Sequence, residues 1–230
     1  MMKVLIAIFM CFALLSGEVL GQEKSPASDV NDKYSYSLGY QIGSDLKAQK
    51  VLIDPAIMAK GASDALGGQK PVLPPEEMRA VMTEVHKRIG ERNRLQMEES
   101  AKKNLALGEQ FLAENRTREG VKTLPSGLQY KVMKAGNGAL PTASDKVTVQ
   151  YRGFLLDGTE FDSSYSRNAP VSFPLDRTIP GWREALQLMK AGSKWQIFVP
   201  PALAYGERGA GPKIGPNSTL IFEVELVSVN

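Results

Sequence analysis

The residues with the clearest chemical potential lie in the last third of the chain, where aromatic and aliphatic side chains recur in short blocks. The blocks are Val-Gln-Tyr-Arg-Gly (149–153), Leu-Asp-Gly-Thr-Glu-Phe-Asp-Ser-Ser (156–164), Ile-Pro-Gly-Trp (179–182), Ala-Tyr-Gly (204–206) and Ile-Gly-Pro-Asn-Ser-Thr-Leu-Ile-Phe (214–222). No nucleophile–base pair, phosphate-binding loop or cluster of metal ligands accompanies them in the sequence. The pattern therefore favours chemistry in an apolar cavity over chemistry at a reactive side chain.

The order and spacing of these five blocks resemble the FKBP-type peptidyl-prolyl cis–trans isomerases. Taken singly, each aromatic residue is more typical of an ordinary core, and Asp162 before two serines is typical of an Asx turn. Five blocks in one order across residues 147–229 favour the active-site interpretation. The resemblance implies an enzyme that accelerates rotation about X-Pro bonds without a metal or a cofactor.

Rotation about a peptide bond is slow because it breaks amide resonance, with a barrier of about 18–20 kcal/mol. Only X-Pro bonds populate both isomers appreciably, and they exchange in tens of seconds or slower. Because the twisted amide is less conjugated, a dry apolar cavity suits it better than water, and one or two hydrogen bonds hold its orientation. Each ~1.36 kcal/mol removed from the barrier raises the rate tenfold, so neither a general base nor a covalent intermediate is required.

The resemblance also assigns the residues of the pocket. Four aromatic residues would form its walls: Tyr151, Phe161, Phe173 and Phe222. Trp182 would form its floor, and Thr178 and Ile214 would border its opening. Two positions depart from the pattern of the eukaryotic FKBPs, because Pro180 and Ala210 stand where a basic residue and a histidine are common. Both leave the pocket intact, but they leave open which substrate contacts the loops make.

Three residues would act on the bound amide, again by resemblance. Ile179 would offer its backbone N–H and Tyr205 its hydroxyl as hydrogen-bond donors. Asp162, held by Tyr151, would polarise the substrate amide. The candidate catalytic residues are Asp162 and Tyr205, together with Phe161 of the pocket wall.

The elements that must position these residues are predicted from apolar periodicity. Every second residue is apolar in 147–151 and in 220–226, which is typical of strands with one buried face. Trp182, Leu186 and Met189 suit a short amphipathic helix laid on that sheet. The sequence therefore predicts an α+β fold in which an antiparallel FKBP-type sheet wraps on one short helix within residues 121–230.

The chain before this sheet is predicted to be helical. One face of the first helix carries apolar residues four apart: Tyr34, Leu38, Ile42 and Leu46. Gly39 and Gly43 lie beside this face. Because glycine inside a helix costs about 1 kcal/mol relative to alanine, the pair indicates close approach by another helix. A marginal helix with chance glycines is the alternative.

Two further helices are predicted by their ends. Asp54 caps the second, with proline at its first position, and Gly67 and Gly68 end it. The third is predicted over residues 75–119, with an apolar stripe early and a polar middle that is typical of a solvent-exposed connection between domains. We therefore predict a helical dimerisation domain over residues 32–90, overlapped by the long connecting helix.

The N-terminus predicts export. Residues 1–21 have the features of a signal peptide: Lys3 precedes an apolar run, and Gly21 supplies a small residue before the cleavage position. The run is about half of the roughly 20 residues that span a bilayer, so a retained anchor is the lesser alternative. Cys11, the only cysteine, lies here, which predicts a mature chain without disulfides or thiol chemistry. Residues 22–31 are predicted to be flexible.

Composition narrows the function classes. Charged residues make up 23% and hydrophobic residues 43% of the chain, which is ordinary for a globular protein. The formal net charge of +3 is spread along the sequence, so nucleic acid is not an expected partner.

The layout of helical domain, long helix and isomerase domain resembles the macrophage infectivity potentiator group of exported bacterial FKBPs over nearly the whole mature chain. The resemblance implies a homodimer formed through the N-terminal helices, in the periplasm or at the cell surface or outer membrane of a Gram-negative bacterium. Its partners would be proline-containing peptides, unfolded exported proteins and macrolide ligands of the FKBP class. The alternative is a non-enzymatic chaperone or surface interaction module that uses the same pocket and helical cleft for binding.

Overall fold

The computed structural model describes residues 29–230. The predicted signal peptide, Cys11 and most of the predicted flexible segment lie outside the described residues. The chain divides into two compact units, a first unit that ends at Met78 and a second unit that spans Arg79–Asn230.

The first unit contains helices α1 (Val30–Ala48) and α2 (Pro55–Leu66). Helix α1 begins inside the segment predicted to be flexible, because the Asp29 side chain accepts hydrogen bonds from the first free N–H groups of the helix. The end signals predicted for α2 are confirmed: Asp54 caps its first turn, proline occupies the first position and Gly67 follows the last residue. None of the residues of either helix is buried.

Helix α3 (Pro75–Asn115) is a single helix of 41 residues that belongs mostly to the second unit. Two i,i+4 ion pairs lie along it, Glu84 with Arg88 in its early part and Arg94 with Glu98 in its polar middle, each at 2.7 Å. The helix ends four residues before the predicted end at residue 119, so the predicted boundary was wrong. Asn115 is 1% exposed and donates to Gln129 on the sheet at 2.9 Å, so the chain must turn at this point.

The second unit is built on an antiparallel sheet. Its strands are β1 (Val121–Thr123), β2 (Gln129–Lys134), β3 (Lys146–Phe154), β4 (Glu160–Ser163), β5 (Val171–Pro174), β6 (Lys194–Val199) and β7 (Leu220–Val229). Their order is β1-β2-β6-β7-β3-β4, and β5 pairs with β3 on the same edge as β4. The long strand β3 therefore holds β4 and β5 at successive points along one edge.

Helix α4 (Pro180–Leu188) covers the sheet and closes the core. The predicted alternation is confirmed, because Val147, Val149, Val224 and Leu226 have no exposed surface. The predicted helix face is confirmed as well, since Trp182, Leu186 and Met189 are buried. The architecture is the predicted α+β fold, with a helical N-terminal region followed by an antiparallel sheet. None of the helices formed by residues 29–230 is both long and apolar enough to cross a membrane.

Candidate active site

A cavity of about 300 Å³ opens where strands β3, β4, β5 and β7 meet helix α4. Its lining includes nine of the ten residues predicted from the sequence: Tyr151, Phe161, Asp162, Phe173, Thr178, Ile179, Trp182, Tyr205 and Phe222. Val171 and Arg177 also line it, and the sequence had not indicated them. The blocks separated along the chain are therefore brought to one site.

Trp182 forms the floor because of how helix α4 begins. Ile179 is the N-cap and Pro180 the first helical residue, so the fixed φ of proline places Trp182 in the first turn against the sheet. Its ring meets Tyr151 at 5.1 Å and 87° and Phe222 at 5.2 Å and 83°, both edge to face. This arrangement is favourable for aromatic rings and gives the cavity an apolar base.

Phe161 and Phe222 form one wall through a second edge-to-face contact, at 5.5 Å and 90°. Strand β3 passes directly beneath the two rings at Gly153. A Cβ at this position would lie 2.6 Å from the Phe161 ring and 2.9 Å from the Phe222 ring, so only glycine fits. Phe173 on β5 completes the opposite side, 5.7 Å from Trp182. The wall thus depends on a glycine as much as on the aromatic residues.

Asp162 is the carboxylate of the site and is held by three donors. The Tyr151 hydroxyl donates a short hydrogen bond to Oδ2, and the Ser163 N–H donates to Oδ1 at 2.8 Å. Arg167 donates to Oδ1 at 2.7 Å and to the Tyr151 hydroxyl oxygen at 2.7 Å. The contact between Asp162 and Tyr151 was expected from the resemblance, whereas the sequence did not indicate that Arg167 neutralises this charge.

The charge state of this group follows from its partners. Burial acts to raise the pKa of Asp162, but the hydrogen bonds from Tyr151 and Arg167 and the Arg167 charge outweigh it and lower the pKa below its ordinary value. Burial, and then the bond to Asp162, raise the pKa of Tyr151. At neutral pH the site therefore holds an ionised carboxylate and a protonated Tyr151.

Two donors that line the cavity have no acceptor of their own among residues 29–230. One is the Ile179 N–H, which precedes the first hydrogen-bonded turn of α4. The other is the hydroxyl of Tyr205, which is 40% exposed. Burial, and then the Asp162 charge, raise the pKa of Tyr205, so its hydroxyl stays protonated and able to donate. Each of the two can donate to a carbonyl group of a bound peptide.

Hydrogen bonds from helix α4 hold the turn that precedes Ile179. Arg183 donates to the carbonyls of Asp176 and Thr178 at 3.1 and 3.2 Å, and the Thr178 hydroxyl donates to Leu175 at 2.7 Å. The turn between β5 and α4 is thereby tied to the helix that follows it. Sequence reasoning missed Arg183, because its role depends on where this turn folds back.

The prediction for Ile214 was wrong, because Ile214 does not line the cavity. Ala210 and Ile214 exchange backbone hydrogen bonds at 2.8 and 3.2 Å, which closes a tight loop. The loop turns the Ile214 side chain into the core, where it is 8% exposed. Spacing along the chain does not reveal this loop.

Residues 29–230 contain no group of three or more His, Cys, Asp or Glu side chains that could hold a metal ion. The cavity itself combines aromatic rings, two free donors and one neutralised carboxylate. This arrangement can bind an apolar group, hold a carbonyl by hydrogen bonds and exclude water.

Comparisons with known proteins agree with this arrangement. A family model described as FKBP-type peptidyl-prolyl cis-trans isomerase matches residues 138–227, and one described as the domain amino-terminal to that isomerase matches residues 31–132. The chain is 43% identical over 228 residues to the outer membrane protein MIP of Legionella longbeachae, over 99% of this chain and 97% of that protein. It is 44% identical over 228 residues to the peptidyl-prolyl cis-trans isomerase Mip of Coxiella burnetii, over 99% of each.

Among solved structures, the crystal structure of FkpA from Escherichia coli matches with a TM-score of 0.68 at 38% identity. The match covers 88% of this chain and 98% of that chain. Both the helical region and the sheet therefore have counterparts in known proteins.

Proposed function

The chain belongs to the family of FKBP-type peptidyl-prolyl cis-trans isomerases, and we propose that it acts on X-Pro bonds of exported proteins during their folding. The proposed mechanism is desolvation and orientation of the twisted amide without a covalent intermediate. The observation that carries it is an aromatic cavity whose lining residues include two donors free to bind a carbonyl.

In this mechanism the proline ring enters the cavity over Trp182, and the aromatic walls exclude water from the bond that rotates. The planar amide loses more favourable solvation than the twisted amide, so the barrier to rotation falls. The Ile179 N–H and the Tyr205 hydroxyl fix the carbonyls next to the proline. No proton is transferred at any stage.

In this proposal Asp162 does not accept a hydrogen bond from the substrate, as an unpaired carboxylate would. Its oxygens already accept from Tyr151, Arg167 and Ser163, so it orients the Tyr151 ring and sets a local negative potential at the edge of the cavity. Because Arg167 offsets this charge, the direct electrostatic effect of Asp162 on the substrate is smaller than that of an unpaired carboxylate.

The experiment for this function is a protease-coupled assay of cis–trans isomerisation with an Ala-Leu-Pro-Phe peptide and the chain from residue 22 to 230. We expect acceleration that is linear in protein concentration and is abolished by an FKBP-class macrolide, which would compete for the cavity. Absence of acceleration, or acceleration that the macrolide leaves unchanged, would contradict the proposal.

We also propose that the protein is a homodimer formed through its N-terminal helices. Large apolar residues of α1 and of the start of α3 are exposed, including Leu38 at 46% and Val81 at 50%. A Cβ added to Gly39 or Gly43 would meet no atom of residues 29–230 within 4 Å, so no described helix of this chain makes the close approach that these glycines predict. A second copy would supply it.

Export to the periplasm or to the outer-membrane surface is the proposed location. The predicted signal peptide supports it, and the name of the Legionella relative places that protein in the outer membrane. Cell fractionation, with N-terminal sequencing of the exported protein, tests it. A cytoplasmic protein with an intact N-terminus would contradict it.

A chaperone or surface-interaction function is the second candidate, and one observation favours it. Helices α1 and α2 border a groove of about 920 Å³ that is lined mainly by apolar residues of both helices. Gly39 and Gly43 also line it, so a client would compete with the second copy for this surface. Trp182→Ala protein, in which isomerisation should be blocked, separates the two functions at a temperature where circular dichroism shows that it is folded. If this variant still prevents aggregation of an unfolded protein, the groove binds clients without the cavity; if it does not, this candidate fails.

A further inference from the structure

The last turns of helix α3 pack on the segment that precedes strand β7. The closest approach is at Gly108, where a Cβ would lie 2.3 Å from the Thr219 hydroxyl oxygen and 3.3 Å from Thr219 Cβ. Phe111 packs on Phe198 one turn later, with ring centroids 5.8 Å apart. These contacts lie within the second unit, so the end of α3 is part of the folded body that contains the cavity.

The same face of α3 reaches the loop that spans residues 206–219. The Asn104 side-chain amide donates to the Pro216 carbonyl at 2.8 Å and lies 3.4 Å from the Ser218 hydroxyl. The Ser218 hydroxyl in turn donates to the Gly215 carbonyl at 2.9 Å. Asn104 therefore holds the C-terminal arm of this loop.

A single peptide group connects this contact with the cavity. The carbonyl of the Pro216–Asn217 peptide accepts from Asn104, and the N–H of the same peptide donates to the Gly206 carbonyl at 2.8 Å. Gly206 directly follows Tyr205, whose hydroxyl is a free donor of the cavity. Hydrogen bonds in such a chain polarise and strengthen one another.

The backbone conformation of Asn217 is uncommon, so the orientation of this peptide group depends on its two hydrogen bonds. The φ of Asn217 is +52°, in the left-handed region that few residues with a side chain adopt and that asparagine tolerates better than most. Loss of one of the two hydrogen bonds would let the peptide turn, and Tyr205 would lose its fixed neighbour. These hydrogen bonds thus connect the residue after Tyr205 with a side chain about one hundred residues earlier in the sequence.

We propose that Asn104 is a positioning residue for the isomerase reaction, and that helix α3 sets the Tyr205 hydroxyl through the Pro216–Asn217 peptide and Gly206. The proposal rests on the role proposed above for Tyr205. The last turns of α3 accordingly contribute to catalysis by positioning Tyr205, although no residue of α3 lines the cavity.

The test compares three variants of the chain from residue 22 to 230. Asn104→Ala removes the donor and the side chain, and Asn104→Asp keeps the shape but cannot donate to the Pro216 carbonyl. Gln110→Ala is the matched control, because Gln110 lies on the same helix and bonds only to Glu114 of α3. For each variant, kcat and KM are measured with the Ala-Leu-Pro-Phe peptide, together with hydrogen exchange at the Asn217 amide.

We expect both Asn104 variants to lower kcat about three- to tenfold, which is the scale of one lost hydrogen bond, with little change in KM. Exchange at the Asn217 amide should accelerate, while exchange at core amides such as Val224 stays unchanged. Tyr205→Phe should also lower kcat. The kcat of the double variant Asn104→Ala/Tyr205→Phe should be no lower than that of Tyr205→Phe alone. Gln110→Ala should behave as the wild type.

Several outcomes would overturn the proposal, and each contradicts a different step of it. Wild-type kcat in Asn104→Ala beside a reduced kcat in Tyr205→Phe overturns this inference alone. Wild-type kcat in both overturns the role of the Tyr205 hydroxyl as well. Losses that multiply in the double variant, or an unchanged Asn217 exchange rate, show that Asn104 does not act through this loop.

Discussion

The N-terminal helices and the sheet use similar apolar residues in opposite ways. Leu38 and Ile42 of α1 are 46% and 39% exposed, whereas Val149 and Val224 of the sheet have no exposed surface. The sheet buries its apolar residues against α4 within one chain, and the helices do not. The catalytic body therefore closes its core within one chain, and the exposed apolar residues of the helices support the proposed dimer, in which a second copy would cover them.

Trp182→Ala tests the first half of this comparison and should have the largest effect. Trp182 touches Tyr151, Phe173 and Phe222, so its loss should cost about 3–5 kcal/mol of unfolding free energy. Peptide and macrolide binding should be lost with it, while the mass in sedimentation stays that of the wild type. Urea unfolding and sedimentation measure the two regions separately. A variant that also falls apart into monomers would show that the regions are not independent.

Asp162→Leu should act within the cavity alone. Removing the acceptor of Tyr151 and Arg167 should free the Tyr151 ring and abolish the local negative potential. Because both act mainly on the twisted amide, turnover should fall about 10- to 100-fold, or about 1.4–3 kcal/mol. Macrolide binding should persist, which calorimetry would record.

Asp162→Asn is the matched variant, since it keeps an acceptor for Tyr151 and loses the charge. Equal losses in the two variants indicate an electrostatic role, and a milder loss in Asp162→Asn indicates that orientation of Tyr151 dominates. Wild-type turnover in Asp162→Leu would leave the apolar cavity as the whole mechanism.

Gly39→Leu tests the second half of the comparison. Leucine favours a helix by about 1 kcal/mol over glycine, and the site is open in the single chain, so α1 itself should gain stability. The dimer should nevertheless weaken at least tenfold, because the side chain would occupy the space of the second helix. Sedimentation across a concentration series measures the dissociation constant, and turnover of the tetrapeptide should not change.

The control for this variant is Gly61→Leu on α2. A Cβ at Gly61 also meets nothing within 4 Å, and Gly61 does not line the groove. Its dimer should remain as tight as that of the wild type. Equal weakening in both variants would show that the Gly39 face is not the interface.

Arg183→Ala should have the smallest effect, confined to substrate binding. Loss of the two bonds that hold the Asp176 and Thr178 carbonyls should loosen the segment that presents the Ile179 N–H. A two- to tenfold rise in KM is expected, the scale of one or two surface hydrogen bonds. Gln187→Ala, which removes a bond within α4, is the control and should leave KM unchanged. An unchanged KM in Arg183→Ala would mean that the segment is held without it.

The sequence predicted the features that depend on local periodicity or on end signals. The alternation of residues 220–226, the Asp54 cap and the buried face of α4 were confirmed by the structure. Nine residues of the cavity were found because their blocks resemble those of a known family. Features that depend on contacts across the fold were missed, and Arg167 is the clearest case. It reaches Asp162 only because residues 165–167 form a turn that ends in left-handed Asn168.

The burial of Ile214 and the end of α3 also depend on hydrogen bonds that the spacing of apolar residues in the sequence does not reveal. Ile214 points into the core because of its bridge to Ala210. The end of α3 is fixed by a bond from Asn115 to a strand that comes later in the chain. The start predicted for the catalytic domain, residue 121, stays a prediction, and it takes no account of the contacts that α3 makes with the sheet.

The most direct test of the account is the behaviour of residues 97–230 on their own, measured as sedimentation mass and kcat/KM for the Ala-Leu-Pro-Phe peptide. This fragment keeps Asn104, Gly108 and Phe111 against the sheet and removes the helices that are proposed to dimerise. The account predicts a folded monomer with kcat/KM within about twofold of the full chain, and a clear loss when residues 97–120 are also removed. A fragment of residues 97–230 that is dimeric, unfolded or inactive would contradict it.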